Sequence, residues 1–166
     1  MIKGDIMYRK QLFIPLLTLT LTILFASCSS PKYRDDQACR SLAESVKEDS
    51  IEYEEHDEEY LEFFFEDSSL QDDFCIIYSR DTNDITEIGI FHTPDTDSAR
   101  KLMTHIEAYI SEMQETQRAF IGSYAPLELT KLDGATVKRF GNYLVYTISD
   151  NTSEILSGIE EYLLKK

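Results

Sequence analysis

The sequence predicts an α+β fold: two β-hairpins forming an antiparallel sheet, with helices packed on one face. Three observations predict it. Two pairs of runs rich in β-branched and aromatic residues each meet at a cluster of turn residues. Between the pairs lies the longest helical stripe in the chain. The last segment opens like a helix cap and ends in Lys165-Lys166, favourable charges at a helix C-terminus. A helical layer on an antiparallel sheet buries all of these stripes.

In chain order, Asp36 is placed to cap a helix over 37–48, where Ala38, Leu42 and Val46 recur on one face. Residues 48–73 hold thirteen acids and no Lys or Arg, with Tyr53, Tyr60, Leu61, Phe63, Phe64, Phe65 and Leu70 embedded among them. That apolar content is too high for a solvated tail. The expectation is irregular structure with a short helix near 57–65, carboxylates facing water and Tyr60, Phe63 and Phe64 or Phe65 packed inward. Phe74–Ser79 and Ile85–His92 read as strands joined by the turn formers of 80–84. Pro94-Asp95 opens a helix whose apolar positions run from Ala99 through Leu102, Met103, Ile106, Tyr109, Ile110 and Met113 to Phe120, with Gly122 as its stop. Tyr124-Ala-Pro126 starts a shorter helix to Leu132, and Asp133-Gly134 turns the chain into strands over 135–140 and 142–149, pinched at Gly141-Asn142. Asn151-Thr-Ser-Glu154 resembles a capping box, with Ile155, Leu156, Ile159, Tyr162 and Leu163 inward.

The first 27 residues belong to a different physical class. An uncharged apolar run of 14 residues, 12–25, follows Arg9-Lys10 and ends at Ala26-Ser27, the layout of a secretory signal. A membrane-spanning helix needs about 20 apolar residues, so the run is short for a permanent anchor. Leu24-Phe25-Ala26-Ser27-Cys28 looks like a lipobox, whose cysteine receives a diacylglyceryl group before cleavage; Phe25 stands where Leu, Val or Ile is usual. The expected organisation is a lipoprotein signal peptide over 1–27, a lipidated Cys28 with a linker to residue 35, and a single α+β domain over 36–166. Two acyl chains hold a protein stably at a membrane where one does so marginally. The expected location is therefore the outer side of the cell membrane, anchored by lipid.

Charge narrows the partners. The chain carries a formal charge of −15, and its leader bears Lys3, Arg9 and Lys10 against Asp5, so the remainder is more acidic still. Nucleic-acid binders need Lys/Arg patches against phosphates, so nucleic acid is not an expected partner. Anionic head groups suit this protein surface equally poorly.

No reaction chemistry is legible. His56, His92 and His105 fall in different elements, without a His-Glu-x-x-His motif or paired Cys-x-x-Cys motifs, so no metal site is assigned. The acidic run lacks the ligand spacing and turn glycine of an EF-hand. No Gly-x-Ser-x-Gly elbow occurs, and the glycines are scattered singly, so neither a catalytic nor a cofactor-binding residue is named. Cys75 and His92 fall on strands expected to pair, which permits a thiol–imidazole pair but equally a buried strand cysteine beside a rim histidine. Cys39 and Cys75 are the thiols left after lipidation; a disulfide and two buried free thiols are both open.

With Glu87-Ile-Gly-Ile-Phe91, the helix carrying Glu112 to Phe120, Tyr124-Ala-Pro126 and Gly141-Asn-Tyr143-Leu-Val145 in this order, the segment Phe74–Ile148 resembles the bacterial lipoprotein family known as domain of unknown function 4358. The lipobox leader fits the same resemblance. The acid-rich 48–73 departs from the pattern, and Cys39 and Cys75 lie outside it. The resemblance implies location and fold, and lends no catalytic or binding residue. The expected role is a non-catalytic module for an unidentified cell-envelope protein or ligand. The alternatives are an extracytoplasmic enzyme or enzyme accessory working by carboxylate acid/base chemistry, and a small-ligand binder. An exposed aromatic patch favours the module, and a deep apolar pocket with convergent carboxylates the enzyme.

Overall fold

The computed structural model describes residues 31–64 and 69–165, the side chains at 63 and 64 excepted. The leader 1–27, Cys28 and Phe65 lie outside the described residues. The chain divides into Met1–Pro31 and Lys32–Lys166, and the second unit is described here. It is α+β. Its elements are α1 (Cys39–Glu44), β1 (Tyr53–Glu55), α2 (Glu58–Phe64), β2 (Asp73–Ser79), β3 (Glu87–His92), α3 (Thr96–Thr116), α4 (Arg118–Tyr124), a 3-10 turn (Pro126–Glu128), α5 (Leu129–Asp133), β4 (Thr136–Phe140), β5 (Tyr143–Ile148) and α6 (Thr152–Leu164).

The strands form one sheet in the order β1-β2-β3-β5-β4, every neighbouring pair antiparallel. Both expected hairpins are present, and pairing of β3 with β5 joins them. The second turn closes at Gly141, whose φ of 64° suits glycine far better than a residue with a Cβ. The acidic segment supplies an edge strand that hydropathy alone did not reveal: β1 pairs with β2 from Tyr53↔Ser79 to Glu55↔Ile77. Its charges are relieved by distant bases, with Arg80 on Glu52 and Glu54 and Arg40 on Glu55.

The expected single helical layer is corrected. Helices cover both faces of the sheet. On one face Cys75, Ile77, Ile88, Ile90, Tyr143 and Val145 meet Cys39 and Leu42 of α1 and Ile155, Ile159 and Leu163 of α6. On the other, Ile76, Phe91, Leu144 and Tyr146 meet Leu102, Ile106, Tyr109 and Ile110 of α3, with Leu61 of α2. The central strands show why. Phe74–Ser79, Glu87–Phe91 and Tyr143–Ile148 are near-continuous apolar runs, the signature of a strand buried on both sides.

Local corrections follow from capping. Helix α1 begins at Cys39 rather than 37; its first N–H, that of Cys39, donates to Asp73 Oδ2 at 2.7 Å, and Asp36 instead binds Arg34 and Gln37 side chains. Ala38 is exposed, while Leu42 and Ala43 are buried. Asp95 caps α3 as expected, accepting from Asp97 N and Ser98 N. Asn151 makes no side-chain cap for α6 and donates to Glu48. Helix α3 ends at Thr116, not near Ile121, and Gly122 lies inside α4 rather than stopping a helix. The helix is interrupted at Gln117, where Arg118 grips Asp133 and Gln114 Nε2 donates to Leu132 O. Beyond the interruption Ile121 is buried and Phe120 is turned to solvent.

Candidate functional site

Three polar knots and one apolar surface stand out, and strand β3 orders them. Glu87 begins the strand on the α3 face and is buried. Its Oε1 accepts from Tyr109 OH at 2.9 Å and Tyr146 OH at 2.5 Å; its Oε2 accepts from Tyr60 OH at 3.3 Å and lies 3.5 Å from His56 Nε2. His56 is stacked between Tyr60 and Tyr78, with ring centroids 3.5 and 4.0 Å away. Burial first, and the Glu87 carboxylate second, hold the Tyr60, Tyr109 and Tyr146 hydroxyls well above the usual phenol range. These hydroxyls stay protonated and act as donors. The arrangement exists because β3 carries Gly89 opposite Tyr146 in the β3–β5 register. A Cβ on Gly89 would lie 1.9 Å from Tyr146 Cε1, so the ring lies across the glycine and reaches Glu87. The result pins α2, α3, β3 and β5 together. Both carboxylate oxygens are engaged by protein groups, which is the arrangement of a framework joint.

His92 ends the same strand on the opposite face. Its Nδ1 is 2.5 Å from Asp72 Oδ1 and its Nε2 is 3.1 Å from Asp35 Oδ1. Burial opposes the charged imidazole, but the hydrogen bonds to Asp72 and Asp35 outweigh it and raise the His92 pKa. Asp35 also accepts from Asn142 Nδ2. Around it the N-terminal segment is fastened: Arg34 N donates to Leu163 O, Tyr33 OH to Glu160, Gln37 N to Tyr143 OH, and Tyr143 OH to Gln37 O. Residues expected as the end of a linker are thus docked on the domain. With both ring nitrogens committed to carboxylates, the thiol–imidazole pair with Cys75 does not form. Cys39 and Cys75 are buried in one cluster as free thiols, and burial pushes the Cys75 thiol up to about 11.

At the Glu87 end, Lys131 of α5 is buried against Asp84 at 2.7 Å, Glu128 at 2.8 Å and Thr86 Oγ1 at 3.1 Å. Burial works against the Asp84 charge, but Lys131 and Thr86 outweigh it and lower its pKa to about 2. Glu128 also accepts from Ile85 N, so α5 is clamped onto the β2–β3 turn.

The apolar surface lies on the segment leading into this clamp. Phe120 is 61% exposed, Tyr124 74% and Leu127 86%, on α4 and the following 3-10 turn. The two rings are in contact, centroids 4.7 Å apart. Large apolar side chains exposed side by side are unusual where no partner is met. The sequence singled out Phe120 but assigned it to the core; Leu127 after Pro126 gave no signal. Elsewhere the acidic segment borders an open groove lined by Glu58, Leu61, Glu62, Gln71, Asp72, Asp73 and Phe74. Among the described residues no three or more His, Cys, Asp or Glu side chains are grouped to hold a metal ion. Nor is any helix among them long and apolar enough to cross a membrane.

The fold and these features define a class: a small α+β domain with a tyrosine-locked buried carboxylate, a docked N-terminal segment and an exposed aromatic surface. The chain belongs to the family described as Domain of unknown function (DUF4358), whose model matches residues 44–149. No curated protein and no solved structure matches the chain. The matched span holds the Glu87 knot, the Lys131 clamp and the aromatic surface, whereas Asp35 and the docked N-terminal segment precede it.

Proposed function

We propose that this protein is a lipid-anchored extracytoplasmic binding module. The anchor is Cys28, supported by the short apolar leader that ends in Ala-Ser-Cys. The single observation that carries the binding role is the exposed Phe120–Tyr124–Leu127 surface. Two aromatic rings in contact, with an exposed leucine three residues on, are side chains of the kind that anchor protein recognition. The enzyme reading has less support. Glu87 is the most buried carboxylate of the polar knots, and its oxygens already accept from Tyr60, Tyr109 and Tyr146.

Cys28→Ser tests the anchor. Incorporation of labelled fatty acid is expected to disappear and the protein to leave the membrane fraction; unchanged labelling and fractionation would contradict the proposal. The binding role is tested by Tyr124→Ser and Leu127→Ser, which are expected to abolish recovery of a partner from intact cells while leaving the thermal melt unchanged.

A further inference from the structure

The N-terminal attachment and the aromatic surface sit at opposite ends of the sheet. Lys32 opens the compact unit, and Asp35 is tied to His92, the last residue of β3, and to Asn142 in the β4–β5 turn. Helix α3 leaves the His92 end and runs back for 21 residues, about 30 Å at 1.5 Å per residue. It delivers the chain to α4 at the other end. There α5 is clamped to the β2–β3 turn through Lys131–Asp84 and Glu128–Ile85. The six-residue strand β3 separates the two ends by about 20 Å. From Cys28 to Lys32 the chain reaches at most about 14 Å.

Charge bears on what could dock at the aromatic end. At the aromatic end Arg118 is held by Asp133, and Lys131 is buried among carboxylates. Glu112, Glu115 and Asp150 remain exposed. A second copy of this chain, with a formal charge of −15, would bring like charge to like. An anionic bilayer meets the same repulsion.

We infer that Phe120, Tyr124 and Leu127 form a docking surface directed away from the anchoring membrane, and that its occupant is a partner protein presenting an apolar knob ringed by Lys and Arg. This rests on the proposed anchoring at Cys28 and on the proposed binding role of the same surface. The apolar side chains supply affinity by leaving water, and the exposed acids at this end of an acidic chain select a basic partner and speed its approach.

The test is photocrosslinking in intact cells, with a benzophenone amino acid at position 124 of the full chain and, as control, at exposed Glu107. The expected result is a discrete protein adduct at 124 and not at 107. It should fall roughly tenfold with Leu127→Asp, weaken as salt is raised, and contain a basic polypeptide. An adduct of twice the chain's mass, an adduct with lipid, an acidic or salt-insensitive protein adduct, or equal labelling at 124 and 107 would each overturn the inference. Fractionation of Cys28→Ser in the same cells reports separately on the anchor. Failure of anchoring is read there, and failure of docking in the adduct at 124.

Discussion

Glu87 and His92 stand at the two ends of one six-residue strand, on opposite faces, and each is gripped by oxygen atoms from other elements. The grips differ in kind. Glu87 is met chiefly by neutral tyrosine hydroxyls inside the α3 face, where water is excluded and their protonation does not change near neutrality. His92 is met by carboxylates at the rim, and its own charge completes the contact. The first joint keeps its tyrosine donors protonated and holds framework elements. The second depends on a titratable imidazole and holds the segment that precedes the domain. One strand thus joins a fixed end, which presents the aromatic surface, to an end whose hold varies with pH.

The strongest way to break the fixed end is Gly89→Ala. The new methyl group would meet the Tyr146 ring at 1.9 Å, forcing the ring aside and parting its hydroxyl from Glu87. Overpacking and the loss of one of the hydrogen bonds to the buried carboxylate together should cost about 3 kcal/mol in urea unfolding. A loss below about 1 kcal/mol would mean the ring moves freely and the Glu87 joint contributes little.

Next is Lys131→Met, which leaves Asp84 and Glu128 facing one another without their cation and should cost about 3 kcal/mol. The sign of its pH dependence follows from Asp84. Its folded pKa, about 2, lies below the ordinary value, so its contribution is present above about pH 4 and is lost as pH falls toward 2. Acid titration of stability should show that loss in the wild type and a shallower one in Lys131→Met.

The His92 end gives a smaller effect of opposite sign. Its folded pKa is raised, so the stabilisation is complete below about pH 6.5 and disappears as pH climbs through the folded value. His92→Gln should lose about 1 kcal/mol at pH 6 and nothing at alkaline pH. Amide exchange in 33–37 should quicken on the same alkaline titration in the wild type, while exchange in α3 does not. The smallest effect belongs to the aromatic surface: Phe120→Ser and Leu127→Ser should each move stability by less than about 0.5 kcal/mol. A larger loss would mark them as structural.

Much of the framework was legible because hydrophobic periodicity is local. The stripe Ala99, Leu102, Ile106, Tyr109, Ile110 names the buried face of α3, and the turn residues of 80–84 and 141–142 locate both hairpins. What failed needed knowledge of neighbours. Asp36 has the chemistry of a cap, but Asp73, far off in sequence, takes that place. The acid-rich 53–55 gains strand structure from Arg40, Arg80 and the edge of β2. Helices on both faces were written in the unbroken apolar runs of β2, β3 and β5, a signal that hairpin alternation would have lacked. Phe120 was read as core because periodicity cannot tell which apolar residues of α4 a neighbour covers: Ile121 is buried and Phe120 is not. The Glu87 joint was not legible at all: its parts come from β3, α3, β5 and the acidic segment, and only the register Gly89↔Tyr146 aligns them.

The central proposal, that lipid on Cys28 anchors the molecule at the His92 end while the aromatic surface lies at the other, meets its most direct test in the lipidated full chain on vesicles. Nitroxide labels at Lys32 and at Tyr124, introduced singly, report collision with lipid-dissolved oxygen and with a water-soluble nickel complex. The account predicts a label at 32 that collides with oxygen near the head groups, and one at 124 that meets the nickel complex alone. Equal exposure to lipid-phase oxygen at both positions, or deeper burial at 124, would contradict it.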